Sequence, residues 1–150
     1  MIMPLLFLVG VLSAEEVDIK ANHFYADDIT KLAYFEGDAT ITQGKNSFHA
    51  VKVIVYFNSN RKAIKYEATG EVQFDLIEKE IHYKGKADKI TYAPNDSKYY
   101  FVGDVVLNDL TNNRKIVAEE ILLDLKTGLA DIKGSNNQPV HFRFEIEDRK

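Results

Sequence analysis

The chain has 150 residues, 45% hydrophobic and 28% charged, with 19 basic and 23 acidic side chains and a formal net charge of −4. That balance fits one globular domain with a real core and excludes a disordered chain, and with no basic tract interleaved with aromatics it speaks against a nucleic-acid partner. There is no cysteine, which excludes disulfides, a thiolate zinc site and a cysteine nucleophile.

Residues 1–14 carry no charge and run through Leu5-Leu6-Phe7-Leu8-Val9-Gly10-Val11-Leu12 into Ser13-Ala14. This run is too short to span a bilayer, which needs about 20 apolar residues, and suits the apolar region of a secretory signal peptide. No Lys or Arg precedes it, and Leu12 stands where a small residue is preferred. The alternative is a buried N-terminal strand, but nothing here alternates. The expectation is a signal peptide over 1–14 and one domain over 15–150.

From Val17 on, two phrases take turns. The first is an alanine phrase: Ile19-Lys20-Ala21 leading to Phe24 and Ala26, then Phe48-His49-Ala50 leading to Val53 and Val55. It returns as Tyr83 through Ala87 to Ile90 and Tyr92, and as Ile116-Val117-Ala118 leading to Ile121 and Leu123. After each alanine the next large apolar residue comes three positions on, not two. A strand keeps one parity on one face, so a switch repeated at the same place predicts a bulge or crease at that place.

The second is a glycine phrase: Phe35-Glu36-Gly37-Asp38-Ala39-Thr40-Ile41, Tyr66 to Phe74 around Gly70, Tyr99 to Leu107 around Gly103 and, weakest, Ala130 to Gly134. The glycines are spaced 33, 33 and 31 residues apart, a repeat period. Apolar and small residues alternate with polar ones here, as in a strand with one buried face. A glycine on that face predicts a close approach to the backbone, by another sheet, a bulge or a ligand. Turn formers cluster at Asp27–Lys31, Asn58–Lys62, Ala93–Ser97, Asp109–Asn113, Lys126–Gly128 and Ser135–Pro139. The composition of 118–126 would tolerate a helix, but its match to the other units makes it a strand. The expected fold is all-β, four repeated strand units stacked into a creased sheet whose two walls face each other.

Catalytic patterns are missing: there is no Gly-x-Ser-x-Gly elbow, no phosphate loop and no nucleophile–base pair. His23, His49, His82 and His141 lie apart, without metal-ligand spacing. Asp38, Glu71 and Asp104, one after each glycine, read as solvated outward strand positions. No cofactor, metal site or enzymatic activity is expected.

The phrases Ala87-Asp88-Lys89-Ile90-Thr91-Tyr92 and Phe35-Glu36-Gly37-Asp38-Ala39-Thr40-Ile41, with the alanine-to-glycine spacing, resemble the OstA-like family over residues 17–144. That resemblance implies an open-ended, V-shaped β-jellyroll that carries lipopolysaccharide across the periplasm, with lipid A acyl chains held in its apolar interior. It also implies head-to-tail self-association and homologous inner- and outer-membrane partner components. With neither a membrane anchor nor a large barrel in this chain, it points to the bridging component. On this reading Phe35, Ile41, Val53, Val55, Phe74, Tyr83, Ile90, Tyr92, Phe101, Leu107, Ile121, Leu123 and Ile132 face the lipid. Arg61, Lys62, Lys65, Arg114 and Lys115, in or beside turns, are candidates for its phosphates. Terminal strands are expected at 17–21 and 140–146. The second carries no inward charge and no interior proline to blunt its edge. Val17, Ile19, Phe142, Phe144 and Ile146 are therefore the expected joining residues. A protein-binding β-repeat scaffold with a fully packed core, and a jelly-roll enzyme, are the competing readings.

Overall fold

The computed structural model describes residues 16–146; the expected signal peptide lies outside them. Ten antiparallel strands make one sheet: β1 (Val17–Lys20), β2 (His23–Asp27), β3 (Leu32–Gln43), β4 (Asn46–Phe57), β5 (Ala63–Glu78), β6 (Ile81–Ala93), β7 (Lys98–Asp109), β8 (Arg114–Asp124), β9 (Leu129–Lys133) and β10 (His141–Phe144). Strands β3 to β8 form a meander. The rival helix at 118–126 falls mostly within β8. The terminal strands β1 and β10 are shorter than expected by a residue or more at their ends.

Both outer pairs are broken strands. β1 pairs with residues 40–43 of β3 and β2 with residues 32–36. At the other end β9 pairs with residues 120–124 of β8, and β10 with residues 114–117. The break falls where the long strands bend. At each bend the register slips by one, so Gly37-Asp38 together oppose Val51, Gly70-Glu71 oppose Asp88, and Gly103-Asp104 oppose Glu119. These are β-bulges, two residues against one. They explain both sequence phrases at once. The glycine strands keep their parity through Phe101, Gly103, Val105 and Leu107, whereas their neighbours skip a position, burying Ala50 and Val53, Ala87 and Ile90, Ala118 and Ile121.

The bulge has a backbone requirement. Gly37, Gly70 and Gly103 have φ of 88°, 91° and 91°, and the acids that follow, Asp38, Glu71 and Asp104, have φ of 50°, 43° and 44°. The three acids are exposed, as expected, but they are not regular strand residues: they occupy the left-handed region, which the short side chain of Asp tolerates and the longer Glu71 adopts at the same bulge position. Nor is the glycine's missing side chain an interior gap. A Cβ on Gly103 would stand 2.7 Å from the Cβ of exposed Asp88 on the neighbouring strand. The close approach is therefore a bulge and a cross-strand side chain. Gly134 departs from the pattern. It follows β9 and opens the loop 134–140, so the chain leaves the sheet at the bend and returns as β10.

The bends divide the sheet into two walls of eight segments each. The first holds β1, β10 and the residues between that flank the turns at 44–45, 79–80 and 110–113. The second holds β2, β9 and the residues that flank the turns at 28–31, 58–62, 94–97 and 125–128. The core sits between the walls. Phe74 of the first meets Phe101 of the second at 4.9 Å between ring centroids, and Phe48 meets Tyr99 at 6.2 Å. Among the described residues no helix is long and apolar enough to cross a membrane.

Candidate functional site: the cleft between the walls

The alternating pattern places the interior. Of the thirteen residues expected there, Ile41, Val53, Val55, Phe74, Ile90, Phe101, Leu107, Ile121 and Leu123 are buried core. Phe35, Tyr83, Tyr92 and Ile132 are half-buried and packed against it. Sequence reasoning left out Phe48, Tyr66, Val72, Leu76, Tyr99 and Val105, which face the same way. The signal was present: Tyr66 and Tyr99 stand four residues before a glycine, Val72 and Val105 two after, and Leu76 six after, all on the buried parity.

The interior is not uniformly closed. Phe101 is 0% exposed and Tyr99 1%, so the walls meet fully in the middle of the sheet. Toward the N-terminal side a cleft runs between them, lined by Ile41, Gln43 and Phe48 from the first wall and by Tyr66, Ala68, Ile90 and Tyr92 from the second. Its free volume is about 20 Å³, room for little more than a water molecule. Tyr66, Tyr92 and Tyr99 form a ladder across β5, β6 and β7, with centroids 6.2 Å and 4.4 Å apart. The lining is apolar toward the bends and carries hydroxyls and an amide toward the rims.

Beside the cleft the rims are tied by polar contacts. The Tyr99 hydroxyl of the second wall donates to Glu78 Oε2 of the first at 2.5 Å. Asn46 Nδ2 donates to the same carboxylate at 2.8 Å and to Tyr99 Oη at 3.4 Å, while its Oδ1 accepts from the Ile77 amide at 2.8 Å. Burial, and after it the Glu78 carboxylate, drive the Tyr99 pKa far above the usual phenol range, so the hydroxyl stays a donor. A second tie runs from Lys79 Nζ to the Leu125 carbonyl.

The five cations expected to meet phosphate divide between the rims. Arg61 and Lys62 lie exposed in the turn between β4 and β5, and Arg61 borders a rim depression with Lys31, Phe57 and Leu32. Lys65 is 4.2 Å from the centre of the Tyr56 ring. Arg114 is engaged by Asp109, through Nε at 3.0 Å and Nη2 at 2.5 Å. Lys115 and Arg114 border a depression with Arg143 of β10, a third cation that sequence reasoning did not group with them. Three histidines have carboxylate neighbours across strands: His49 with Asp38 and His82 with Asp75, each at 2.6 Å, and His23 with Glu36 at 3.7 Å. No group of possible metal ligands occurs among the described residues.

Among the described residues both ends of the sheet are unclosed and apolar. Phe24 on β2 is 57% exposed and lies tilted against Phe35, with ring centroids 4.9 Å apart. At the far end Phe142 and Phe144 on β10, followed by Ile146, are exposed together with Leu129 of β9. Of the expected joining residues, Val17 and Ile19 are half-buried against the core.

A single antiparallel sheet, creased into two facing walls and left open at both ends, is an open V-shaped β-jellyroll. The fold is similar to that of LptH from Pseudomonas aeruginosa, the LptA-homologous periplasmic component of the lipopolysaccharide transport device. The TM-score is 0.76 at 13% identity, over 88% of this chain and 96% of that one. The family described as LptA/(LptD N-terminal domain) LPS transport protein matches residues 18–129, and the chain belongs to it. The OstA-like resemblance and the fold expected from it are thereby borne out. No curated protein matches the sequence.

Proposed function

We propose that this chain is a periplasmic lipopolysaccharide carrier that holds lipid A acyl chains between its walls and bridges inner- and outer-membrane components of the transport system. The observation that carries this is the interior itself: an apolar lining that continues from β1 to β10 and ends in exposed Phe24 on one side and Phe142 and Phe144 on the other. Each acyl CH₂ left in water costs about 0.8 kcal/mol, so a lipid crossing an aqueous space needs such a sheath. Membership of a lipopolysaccharide-transport family supports the same cargo, and the likeness to a periplasmic component supports the compartment. A signal peptide over residues 1–14 would deliver the chain there.

The cleft at Tyr66 and Tyr92 is the entry this geometry favours, because the middle of the interior is already filled by Phe74, Phe101 and Tyr99. In this reading the other interior residues meet acyl chains only as the walls separate. Arg61 and Lys62 on one rim, with Lys115 and Arg143 on the other, have no side-chain partner among the described residues and would meet lipid phosphates. Arg114 and Lys65 already have partners. Homologous partners, or further copies head to tail, would add strands at β1 and β10, whose outer edges are unpaired among the described residues.

The narrowness of the cleft favours a second reading, a scaffold with a fully packed core that binds only protein. A photo-crosslinker at Tyr92 separates the two. It should capture lipopolysaccharide in cells, while crosslinkers at Thr91 and Asp104, on the outward parity, should not. Equal capture at both parities, or none at Tyr92, would sink the carrier reading.

A further inference from the structure

The cluster of Tyr99, Glu78 and Asn46 is a polar knot at the rims of a largely apolar interior, and it joins the two walls. We propose that it is a latch: its hydrogen bonds hold the rims together, and its release lets the walls part so that the adjoining cleft admits an acyl chain. The proposal deepens the carrier reading and rests on it.

Three observations converge. The first is position. Asn46 is the first residue of β4, Glu78 the last of β5 and Tyr99 the second of β7, so all three sit at the rims, where a small rotation about the bends produces the largest displacement. The second is adjacency. Tyr99 stacks on Tyr92 at 4.4 Å and on Phe48 at 6.2 Å, and both of those line the cleft. Moving Tyr99 away from Glu78 therefore moves a cleft wall. The third is chemistry. Separating buried aromatic surfaces loses their burial outright. Separating a hydroxyl from a carboxylate exchanges one hydrogen bond for others to water, at small net cost. Parting the rims therefore costs this exchange and the Tyr99–Phe48 contact, and can leave the Phe74–Phe101 contact nearer the bends in place. The Asn46 side chain also bonds the Ile77 amide beside Glu78, which fixes the first wall's half of the latch before the second wall arrives.

The chain has no cysteine, so two introduced ones give clean spin-label sites. Labels at exposed Lys45 and Asn95, in the rim turns of the two walls, report the rim-to-rim distance by pulsed electron resonance, and an anthroyloxy-labelled fatty acid reports acyl binding by fluorescence. Tyr99→Phe keeps the ring and removes the donor. It should shift the distance distribution to longer values and tighten fatty-acid binding about tenfold, since the competent state becomes more populated. Glu78→Ala, which removes the acceptor from the opposite wall, should do the same. Glu78→Gln keeps an acceptor and should stay close to the parent in both measurements. Unchanged distances in both Tyr99→Phe and Glu78→Ala overturn the latch, as does equal opening in Glu78→Gln. Rims that part while neither parent nor variant takes up the fatty acid uphold the latch and overturn the carrier reading instead.

Discussion

Asp109 is the buried charge of this core, 5% exposed, and its neighbours explain how it is tolerated. Burial pushes its carboxyl pKa up, but hydrogen bonds from the Asn112 side chain and amide and from Arg114 outweigh that and hold it below the usual range. Glu67 follows the same logic: burial raises it, and Lys89 and Tyr56 more than reverse the effect. A depressed folded pKa means stabilisation that is present above the unfolded value and lost as pH falls through the folded one. The unfolding midpoint in urea should therefore be flat near neutrality and fall below about pH 4. Arg114→Ala leaves Asp109 with Asn112 alone and should cost about 1–3 kcal/mol at neutral pH, with a weaker acid dependence than the parent. A variant as stable as the parent would show that the pair contributes nothing.

At the level of the strand, the bulge is the device that turns a flat ladder into two walls. Gly103→Ala would place a Cβ 2.7 Å from that of Asp88 at a φ of 91°, whereas at Gly128, with φ of 79°, a Cβ meets nothing within 4 Å. Thermal unfolding should show Gly103→Ala losing more, by at least about 1 kcal/mol; equal losses would mean that backbone conformation alone decides. Much of this element was legible, because a bulge leaves a local trace. The three-residue step from Ala50 to Val53 and the glycine before an acid are both visible along the chain. Contacts that join residues far apart leave no such trace. Tyr99 and Glu78 carry no mark of each other, since their meeting depends on how the walls face. The end of the pattern at Gly134 was visible only as a poor copy. That the chain leaves the sheet there follows from the loop through Pro139.

For the molecule as a whole, the exposed apolar ends are where one copy would meet another. β10 covers only residues 114–117 of β8, yet it presents Phe142 and Phe144 in an edge-on pair 5.4 Å apart. Truncation after Pro139 removes this strand and leaves β3 to β8 intact. The shortened protein should fold, stay monomeric in light scattering across concentrations at which the full chain associates, and still bind the fatty-acid probe. Oligomers of the truncated chain equal to those of the full one would move the joining surface elsewhere. On the proposed head-to-tail assembly, the N-terminal end with exposed Phe24 would be its complement.

Every long strand passes through both walls, and the bends lie on neighbouring strands side by side. In mechanical terms the sheet is a book whose pages are sewn through one spine. The walls cannot slide past each other without breaking the register on both sides of the spine. They can only swing. Because adjacent strands are hydrogen-bonded on both sides of the bend, a swing at one strand would strain the next, and an opening made at one end would travel toward the other. A cargo held between the covers would advance with that travelling gap, and the direction of its motion would be set by which end is pried open first.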